Sequence, residues 1–349
     1  MSMETEEWLN RFCLIGMTDK RGNAWHYRES LQGDEPNHYQ GFIPVPDVLR
    51  RLFNWEAVEK PIFHKIDGVF QPIEDRKEIV RSDDEKCVLG IFSEGYTPHS
   101  YSKWLLEVVA EILGTDLGIS SAGLLQKGGL AWVEVSVPEN IKTPEGVEFR
   151  SNLLAGTSFN GRLSTTYKRT NSITVCDNTM AASLGSEGEE LKIKHTRYSG
   201  TRIADARQAL NLVLETADQF KADVAHLCKV PVSMREFSLL LDSIAPVTEA
   251  PANQTRGQKS SASMTEKKRD ILTQLYKSDS RVAPWTGTAF GVLQMDNTYR
   301  HHYQTVKGMD GGRAERNAQN ALLGLTGKDD NYIIEALTKV KGGELVEVA

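Results

Sequence analysis

Apolar and polar side chains alternate through the middle of the chain, and this pattern predicts a group of β-strands. Residues 149–200 alternate as half-buried strands do. The preceding segment LAWVEVSVPE alternates in the same way, which gives it one apolar face. With GISSAGLLQ it flanks Lys127-Gly128-Gly129, so a hairpin is predicted with its turn at these residues. Asn160-Gly161 predicts a hairpin turn, because both central positions of that turn type require a positive φ. Short strands between Trp55 and Phe92 predict a small β-rich subdomain ahead of the central sheet.

A spacing of three or four residues between apolar positions predicts helices around these strands. The strongest is predicted over Ile203–Leu227, with Leu210 and Leu214 on its buried face, and Pro231 follows its end. Ser233 and Glu236 form a capping-box pattern, in which each side chain satisfies an unpaired backbone donor, and a helix is expected from there to Ile244. Further helices are expected over Pro46–Phe53, Ser100–Leu113, about Asp177–Leu184, Met264–Tyr276, Thr288–Val306 and Ala314–Leu323.

The order of these elements predicts an α+β fold, with an antiparallel β-sheet core, packed helices and a helical C-terminal region. Residues 1–95 are interpreted as an N-terminal loop and the small β-rich subdomain. The loop covers residues 1–45 and is expected to pack on the main domain through Trp25, Tyr27, Tyr39 and Phe42. Residues 96–245 are interpreted as a central α+β domain with a basic sheet and the long helix. Residues 246–263 are rich in Pro, Ala, Ser and Gln, so they predict a flexible linker. Residues 264–349 are the helical C-terminal region.

The composition is that of a globular protein of 349 residues with a net charge of −6. It contains no apolar run of about 18 residues, so no membrane partner is expected. The acidic N-terminal sequence has no hydrophobic stretch typical of a secretory signal. The four cysteines are scattered without paired spacing, as in reduced proteins of the cytoplasm.

No motif for catalysis, a cofactor or a metal is convincing. Gly324–Lys328 is followed by Asp329 and lacks the four-residue gap between glycines that a P-loop requires. His301-His302 is a histidine pair, but adjacent helical residues point about 100° apart, which disfavours a shared metal. Cys176 could be an activated thiol at a helix start, but Asp177 would oppose the thiolate. Neither a cofactor nor a metal is expected, and an enzyme has the least support.

The most basic part of the chain coincides with the predicted central strands. Between Arg150 and Arg202 there are eight Lys or Arg and four acidic residues, whereas residues 1–149 hold 15 basic and 25 acidic residues. Hydroxyl and aromatic side chains lie between these cations, as they do where phosphates are bound and unpaired bases are stacked. The alternative is a solvated, charged face of the sheet. The candidate nucleic-acid-binding residues are Arg150, Arg162, Lys168, Arg169, Lys194 and Arg197 for phosphates, and Tyr167 for stacking.

Several short segments resemble one protein family. They are Ala24-Trp25-His26, Ile173–Thr179, Ile193–Arg197, Gly287–Gly291 and Arg313–Arg316. As a set they are similar to a family of phage- and plasmid-like proteins known as domain of unknown function 932. The resemblance covers most of the chain. It implies a role in phage or mobile-element DNA metabolism, in the cytoplasm of a host cell, and it supplies no catalytic residues.

Two hypotheses from different classes follow. The first is a factor that binds single-stranded nucleic acid, with strand annealing and recombination as its sharpest form. Phage annealing proteins form rings, so a homo-oligomer is expected. The second is a non-enzymatic interaction protein that modulates a host enzyme, in which the acidic N-terminal half imitates DNA.

Overall fold

The computed structural model describes residues 3–24, 27–111, 113, 117–137, 139–173, 178–181, 190–196, 216–247, 256–306, 312–323 and 325–343. Within these residues, two antiparallel sheets pack with helices in an α+β fold, and the C-terminal region is helical. The predicted fold class is therefore confirmed.

The β-strands are numbered here in chain order. They are β1 (Cys13–Ile15), β2 (Ala57–Ile66), β3 (Val69–Arg81), β4 (Val88–Ser93), β5 (Gly118–Leu125), β6 (Leu130–Ser136), β7 (Ile141–Lys142), β8 (Glu148–Ser158), β9 (Thr165–Ile173), β10 (Asn178–Ala181) and β11 (Glu190–Ile193). The larger sheet has the order β1-β5-β6-β8-β9-β10, with β7 paired to β8 and β11 paired to β9, and the smaller sheet has the order β2-β3-β4.

The helices are numbered in the same way. They are α1 (Met3–Phe12), α2 (Thr18–Arg21), α3 (Val45–Arg51), α4 (Val108–Ala110), α5 (Thr216–Lys229), α6 (Met234–Ile244), α7 (Arg256–Ser278), α8 (Ala289–Thr298), α9 (Gly312–Leu323) and α10 (Leu325–Val340). A π-helical segment, Ser102–Glu107, leads into α4, and a second one, Tyr299–Tyr303, continues α8. Short 3-10 helices lie at Glu29–Leu31, Gln126–Gly128 and Ala283–Trp285.

The two predicted hairpins of the central sheet are present, but one has a different turn. The connection between β5 and β6 contains Lys127 and Gly128, as predicted, both with positive φ. The connection between β8 and β9 is longer than the two-residue turn predicted at Asn160-Gly161. Asn160 instead accepts a hydrogen bond at Oδ1 from the backbone N–H of Arg162, 3.2 Å away. A side chain that closes its own turn in this way removes the need for a two-residue hairpin.

The helix predicted near Asp177 is wrong where the structure describes that stretch. Asn178–Ala181 is strand β10, with Thr179 opposite Ser172 of β9. Backbone groups at the edge of β9 need partners, and a strand supplies them where a helix would not. Residues 182–184 lie outside the described residues.

The N-terminal segment contains more regular structure than the loop predicted for residues 1–45. It forms α1, the edge strand β1 and the short helix α2, and Leu14 of β1 pairs with Ala122 of β5. Of the four aromatic anchors predicted there, Tyr27, Tyr39 and Phe42 are half-buried. Trp25 lies outside the described residues.

The C-terminal helices confirm the main helical predictions. The capping box is present, because Ser233 accepts from the backbone N–H of Glu236 and the Glu236 carboxylate accepts from that of Ser233. The described part of the predicted long helix is α5, and its Phe220 and Val224 are fully buried. Residues 203–215, including Leu210 and Leu214 on the expected buried face, lie outside the described residues.

Part of the predicted linker is helical. Residues 256–263 form the first turns of α7. Gln258, Ser260, Ser261 and Ser263 are exposed there, so these turns do not depend on a buried apolar face. The second half of α7 is anchored by Leu272, Leu275 and Tyr276, which are buried. Residues 248–255 lie outside the described residues, and the domain boundary stays a prediction.

The interior is divided among three apolar clusters. One lies among α5 to α8 and α10 and includes Phe149 from β8. The second fills one face of the central sheet and joins it to Ile79 of the small sheet. The third, with Trp132 and Leu154, covers the opposite face, where Leu323 of α9 also packs. Because both faces are covered, β8 is buried along almost its whole length.

Candidate nucleic-acid interface

The structure separates the predicted binding residues into two groups. The residues of the first group bind other parts of the protein. The side chain of Arg150 is buried and donates from Nη2 to Oδ1 of Asn140 across 2.6 Å. Lys168 is half-buried, and its ammonium donates to the backbone carbonyl of Ala321 in α9. These two cations hold structural elements together rather than facing solvent.

Tyr167 corrects the prediction that its ring stacks on a base. The residue is only 1% exposed, and its hydroxyl donates to the backbone carbonyl of Trp104. Burial also raises the pKa of this phenol. Its hydroxyl-bearing neighbours suggested a solvent-facing strand, but Thr165 and Thr166 are buried as well. A ring enclosed in this way presents no face to a nucleotide.

The side chains of two predicted cations, Arg169 and Arg197, lie outside the described residues. Arg169 belongs to β9 by its backbone, but its side chain lies outside the described residues. Arg197 lies wholly outside them. For that reason neither residue is used to define the interface.

The register of the strands defines one end of the central sheet. Leu130 of β6 lies opposite Ser158 of β8, and Thr165 of β9 lies opposite Ile193 of β11. Because Gly156 of β8 lies opposite Thr166 of β9, these four residues lie within one position of a single row across the sheet. We call the loops beyond this row the sheet end.

Three exposed cations lie at the sheet end. Arg162 is in the β8–β9 connection, Lys194 follows β11, and Lys127 is in the β5–β6 turn. None of them forms an ion pair with a residue that the structure describes. Arg162 and Lys194 were predicted, whereas Lys127 was missed because it is the only cation of its turn and lies outside the basic stretch of sequence.

The small sheet is fixed to the same end. Arg81 of β3 donates from Nη1 to the backbone carbonyl of Lys127 across 2.9 Å. Its guanidinium also lies over the ring of Trp55, 3.9 Å from the centroid, and pairs with Asp83. A Cβ on Gly128 would lie 2.6 Å from the same indole, which shows how closely the turn and the small sheet approach.

A network of buried polar side chains supports the sheet end from beneath. Nδ1 of His195 lies 2.8 Å from the hydroxyl of Tyr96, and its Nε2 lies 3.0 Å from Oγ1 of Thr157. Nδ1 of His99 lies 2.6 Å from Oγ1 of Thr165, and the two imidazoles stack with 4.1 Å between centroids. These contacts position Lys194, which directly precedes His195.

Both histidines of this network are neutral at neutral pH. Burial lowers the pKa of His195 to about 4, and burial with the nearby His195 and Lys103 lowers that of His99 to about 3. His99 is 1% exposed, so it has no access to a substrate. The network therefore holds the fold at this point.

A second polar cluster lies in the helical region. Arg300, in the π-helical segment after α8, pairs with Asp296, Asp329 and Asp330. His301 beside it is neutral, because burial and then Arg300 lower its pKa to about 3. The guanidinium of Arg300 is balanced by these carboxylates, so Arg300 itself does not offer an uncompensated charge to an anion.

The family comparison agrees with the resemblance in the sequence. A model of the family described as a domain of unknown function, DUF932, matches residues 88–323, and the chain belongs to that family. No curated protein and no solved structure matches the chain. The three cations of the sheet end lie within the matched residues, whereas β2 and β3 precede them.

Two further findings concern the residues that the structure describes. No helix among them is long and apolar enough to cross a membrane. No group of three or more His, Cys, Asp or Glu among them is arranged to hold a metal ion.

Proposed function

We propose that this protein binds single-stranded nucleic acid at the sheet end and acts in the DNA metabolism of a phage or mobile element. Strand annealing in a host cytoplasm, by a homo-oligomer, is the sharpest form of this role. The observation that carries the proposal is the convergence of Lys127, Arg162 and Lys194, all exposed, from three separate connections of one sheet.

The net negative charge of the protein makes this group of exposed cations important for the proposal. The protein as a whole carries a net charge of −6, so it has no general attraction for a polyanion. Binding must therefore come from a local cluster of cations whose charges are not cancelled by carboxylates. Contacts to phosphate are independent of sequence and release counterions, so affinity at such a site falls steeply with salt.

The test is a titration of labelled single-stranded oligonucleotides of several lengths, followed by fluorescence anisotropy at low and moderate salt. The triple variant K127A/R162A/K194A is expected to bind more weakly. Its slope of log K against log salt should be shallower by roughly 2, from about 0.7 for each lost contact. The matched control is Lys142→Ala, because Lys142 is an exposed cation of β7 that lies opposite Glu148, at the other end of β8 from the sheet end.

Annealing of complementary strands by the same proteins tests the sharper role. Acceleration by the wild type and by Lys142→Ala, but not by the triple variant, is the expected pattern. Absence of binding at low salt, with a folded protein and every oligonucleotide length, overturns the proposal. The interaction protein that modulates a host enzyme would then be the leading hypothesis.

A further inference from the structure

A two-stranded ribbon extends from the small sheet. β4 ends at Ser93, opposite Arg76 of β3, so no third strand in the described part of the chain lies beside the distal part of β2 and β3. Every residue from 63 to 72 is exposed. Four of them are large apolar residues, with exposed fractions of 52% for Phe63, 45% for Ile66, 61% for Val69 and 67% for Phe70.

The register sorts these side chains onto two different faces. Phe63 lies opposite Pro72 and Lys65 opposite Phe70, and directly opposite residues share a face. The two phenylalanines are therefore diagonal neighbours on one face, where Lys65 lies opposite Phe70 and next to Phe63 along β2. Ile66 and Val69 also oppose each other, one residue further along, and so lie on the other face. We call the first face the aromatic face of the ribbon.

A cation is part of the aromatic face. Nζ of Lys65 lies 5.5 Å from the centroid of the Phe70 ring, which is cation–π distance. The charged group on this face is thus positive, and Asp67 lies in the turn that joins the strands. An anion that approaches the rings meets an ammonium group beside them.

The edges of the ribbon are poor templates for another strand. Pro61 in β2 and Pro72 in β3 each remove a backbone donor, and the pairing is irregular between Pro61 and Phe63. Proline and irregularity are devices that prevent edge-to-edge pairing. A partner therefore contacts the faces of the ribbon and not its edges.

We propose that the aromatic face is a stacking platform for unpaired bases, with Phe63 and Phe70 as the rings and Lys65 as a phosphate contact. This inference rests on the proposed function and adds the stacking residues that Tyr167 does not provide. Aromatic rings on adjacent strands accept successive bases because every base has a π-face. Bases in a duplex are already stacked on each other, so the platform selects single strands.

The position of the ribbon makes it continuous with the sheet end. Its base is fixed there by the hydrogen bond from Arg81 to the Lys127 carbonyl and by Trp55 against Gly128. A single strand whose phosphates contact the exposed cations of the sheet end can therefore extend its bases along the ribbon. The cations supply salt-dependent affinity, and the rings supply a component that does not depend on salt.

The experiment compares two double variants on the same ribbon, F63A/F70A and I66A/V69A. Binding is measured with an oligonucleotide that contains 2-aminopurine, whose emission is quenched when the base stacks. F63A/F70A is expected to lose roughly fivefold to hundredfold in affinity for each ring, and the quenching with it, while the salt slope stays unchanged. I66A/V69A should stay within about twofold of wild type, because those side chains lie on the other face. F63W/F70W should restore both affinity and quenching.

Each other outcome has a defined meaning. Equal binding by F63A/F70A and wild type overturns the stacking platform, and if K127A/R162A/K194A still binds weakly the proposed function stands. A change of oligomeric state in F63A/F70A, seen by sedimentation velocity with no change in quenching, overturns the platform and assigns the ribbon to a second copy of the chain. Failure of the wild type to bind any single strand removes the proposed function and the platform together. Circular dichroism confirms that each variant is folded, which is expected because all four replaced side chains are exposed.

Discussion

Nη2 of Arg300 lies 3.2 Å from Oδ1 of Asp330, and the carboxylate of Asp330 is completely buried. The same carboxylate oxygen accepts a hydrogen bond from Nδ2 of Asn297, 3.1 Å away. α8, which carries Asn297, is buried along its whole length, so this polar contact lies inside the helical core. Such a pair specifies how α8 and α10 fit together.

Asp330→Ala is expected to destabilise the protein by about 3–5 kcal/mol, because it leaves part of a buried guanidinium and an amide without their acceptor. Asp329→Ala is the matched control. Asp329 contacts the same guanidinium at 2.9 Å, but its side chain is 45% exposed. Its removal should cost at most about 1 kcal/mol. Urea denaturation of both variants measures the two losses of unfolding free energy. Equal losses would contradict the inference that Asp330 contributes more because its carboxylate is buried.

Acid should destabilise the protein through its buried histidines. An unfolded histidine has a pKa of about 6.5, whereas burial lowers the pKa to about 4 in His195 and about 3 in His99. Below pH 6.5 the unfolded state therefore binds protons that the folded state does not. The stabilisation is fully present above the unfolded pKa and is lost as pH falls toward the folded values.

The free energy of unfolding should fall between pH 6 and pH 5 by up to about 1.4 kcal/mol per pH unit for each such histidine. His301, whose pKa burial lowers to about 3, contributes in the same direction. Urea titrations at a series of pH values measure this slope. His99→Gln should reduce the slope by about 1.4 kcal/mol per pH unit, the contribution of one proton, even though it also lowers stability at neutral pH. A flat profile over this range would refute the neutral, buried state of the pair.

The capping box of α6 gives a second stability prediction. Ser233→Ala removes the acceptor for the Glu236 backbone N–H, 3.2 Å away, and should cost about 1 kcal/mol. Ser238→Ala is the control, because Ser238 is exposed in the interior of the same helix, where alanine is the better helix former. Thermal denaturation should show a lower Tm for the first variant only.

A methyl group at Gly123 should not fit the central sheet. Gly123 of β5 lies opposite Trp132 of β6, and a Cβ there would lie 2.0 Å from the indole ring. Gly123→Ala is expected to cost about 1–3 kcal/mol, because the indole must leave a well-packed position. In G123A/W132L the clash is absent, so the double variant should lose less stability than the two single costs predict. Additive costs would show that the two positions do not compete for space.

The elements that depend only on nearby residues could be predicted from the sequence. The capping box at Ser233 and Glu236, the turn at Lys127 and Gly128, and the buried face of α5 all follow from spacing of a few residues. The strand at Asn178–Ala181 does not, because only the unpaired edge of β9 makes a strand preferable there. Pairing with β9 makes this segment a strand, although its local sequence predicted a helix.

The candidate site was predicted less well than the fold, for a related reason. Charge counted along the sequence placed Arg150, Lys168 and Arg162 in one group, but Arg150 is buried and the half-buried Lys168 is bound to the Ala321 carbonyl. Lys127 joins the sheet end only through strand register, which composition does not report. The ribbon could have been found, because Asp67-Gly68 between Ile66 and Val69 is a strong two-residue hairpin signal.

The edge strand β1 imposes an order of events during synthesis. Cys13 pairs with Gly123, so the first strand of the sheet waits until more than a hundred further residues have been made. At 5–20 residues per second, that wait lasts roughly 5–20 s. Throughout it, the apolar side chain of Leu14, which is fully buried in the finished fold, has no β5 beside it. The segment that carries β1 is therefore open to a chaperone or a ribosome-associated factor during that interval.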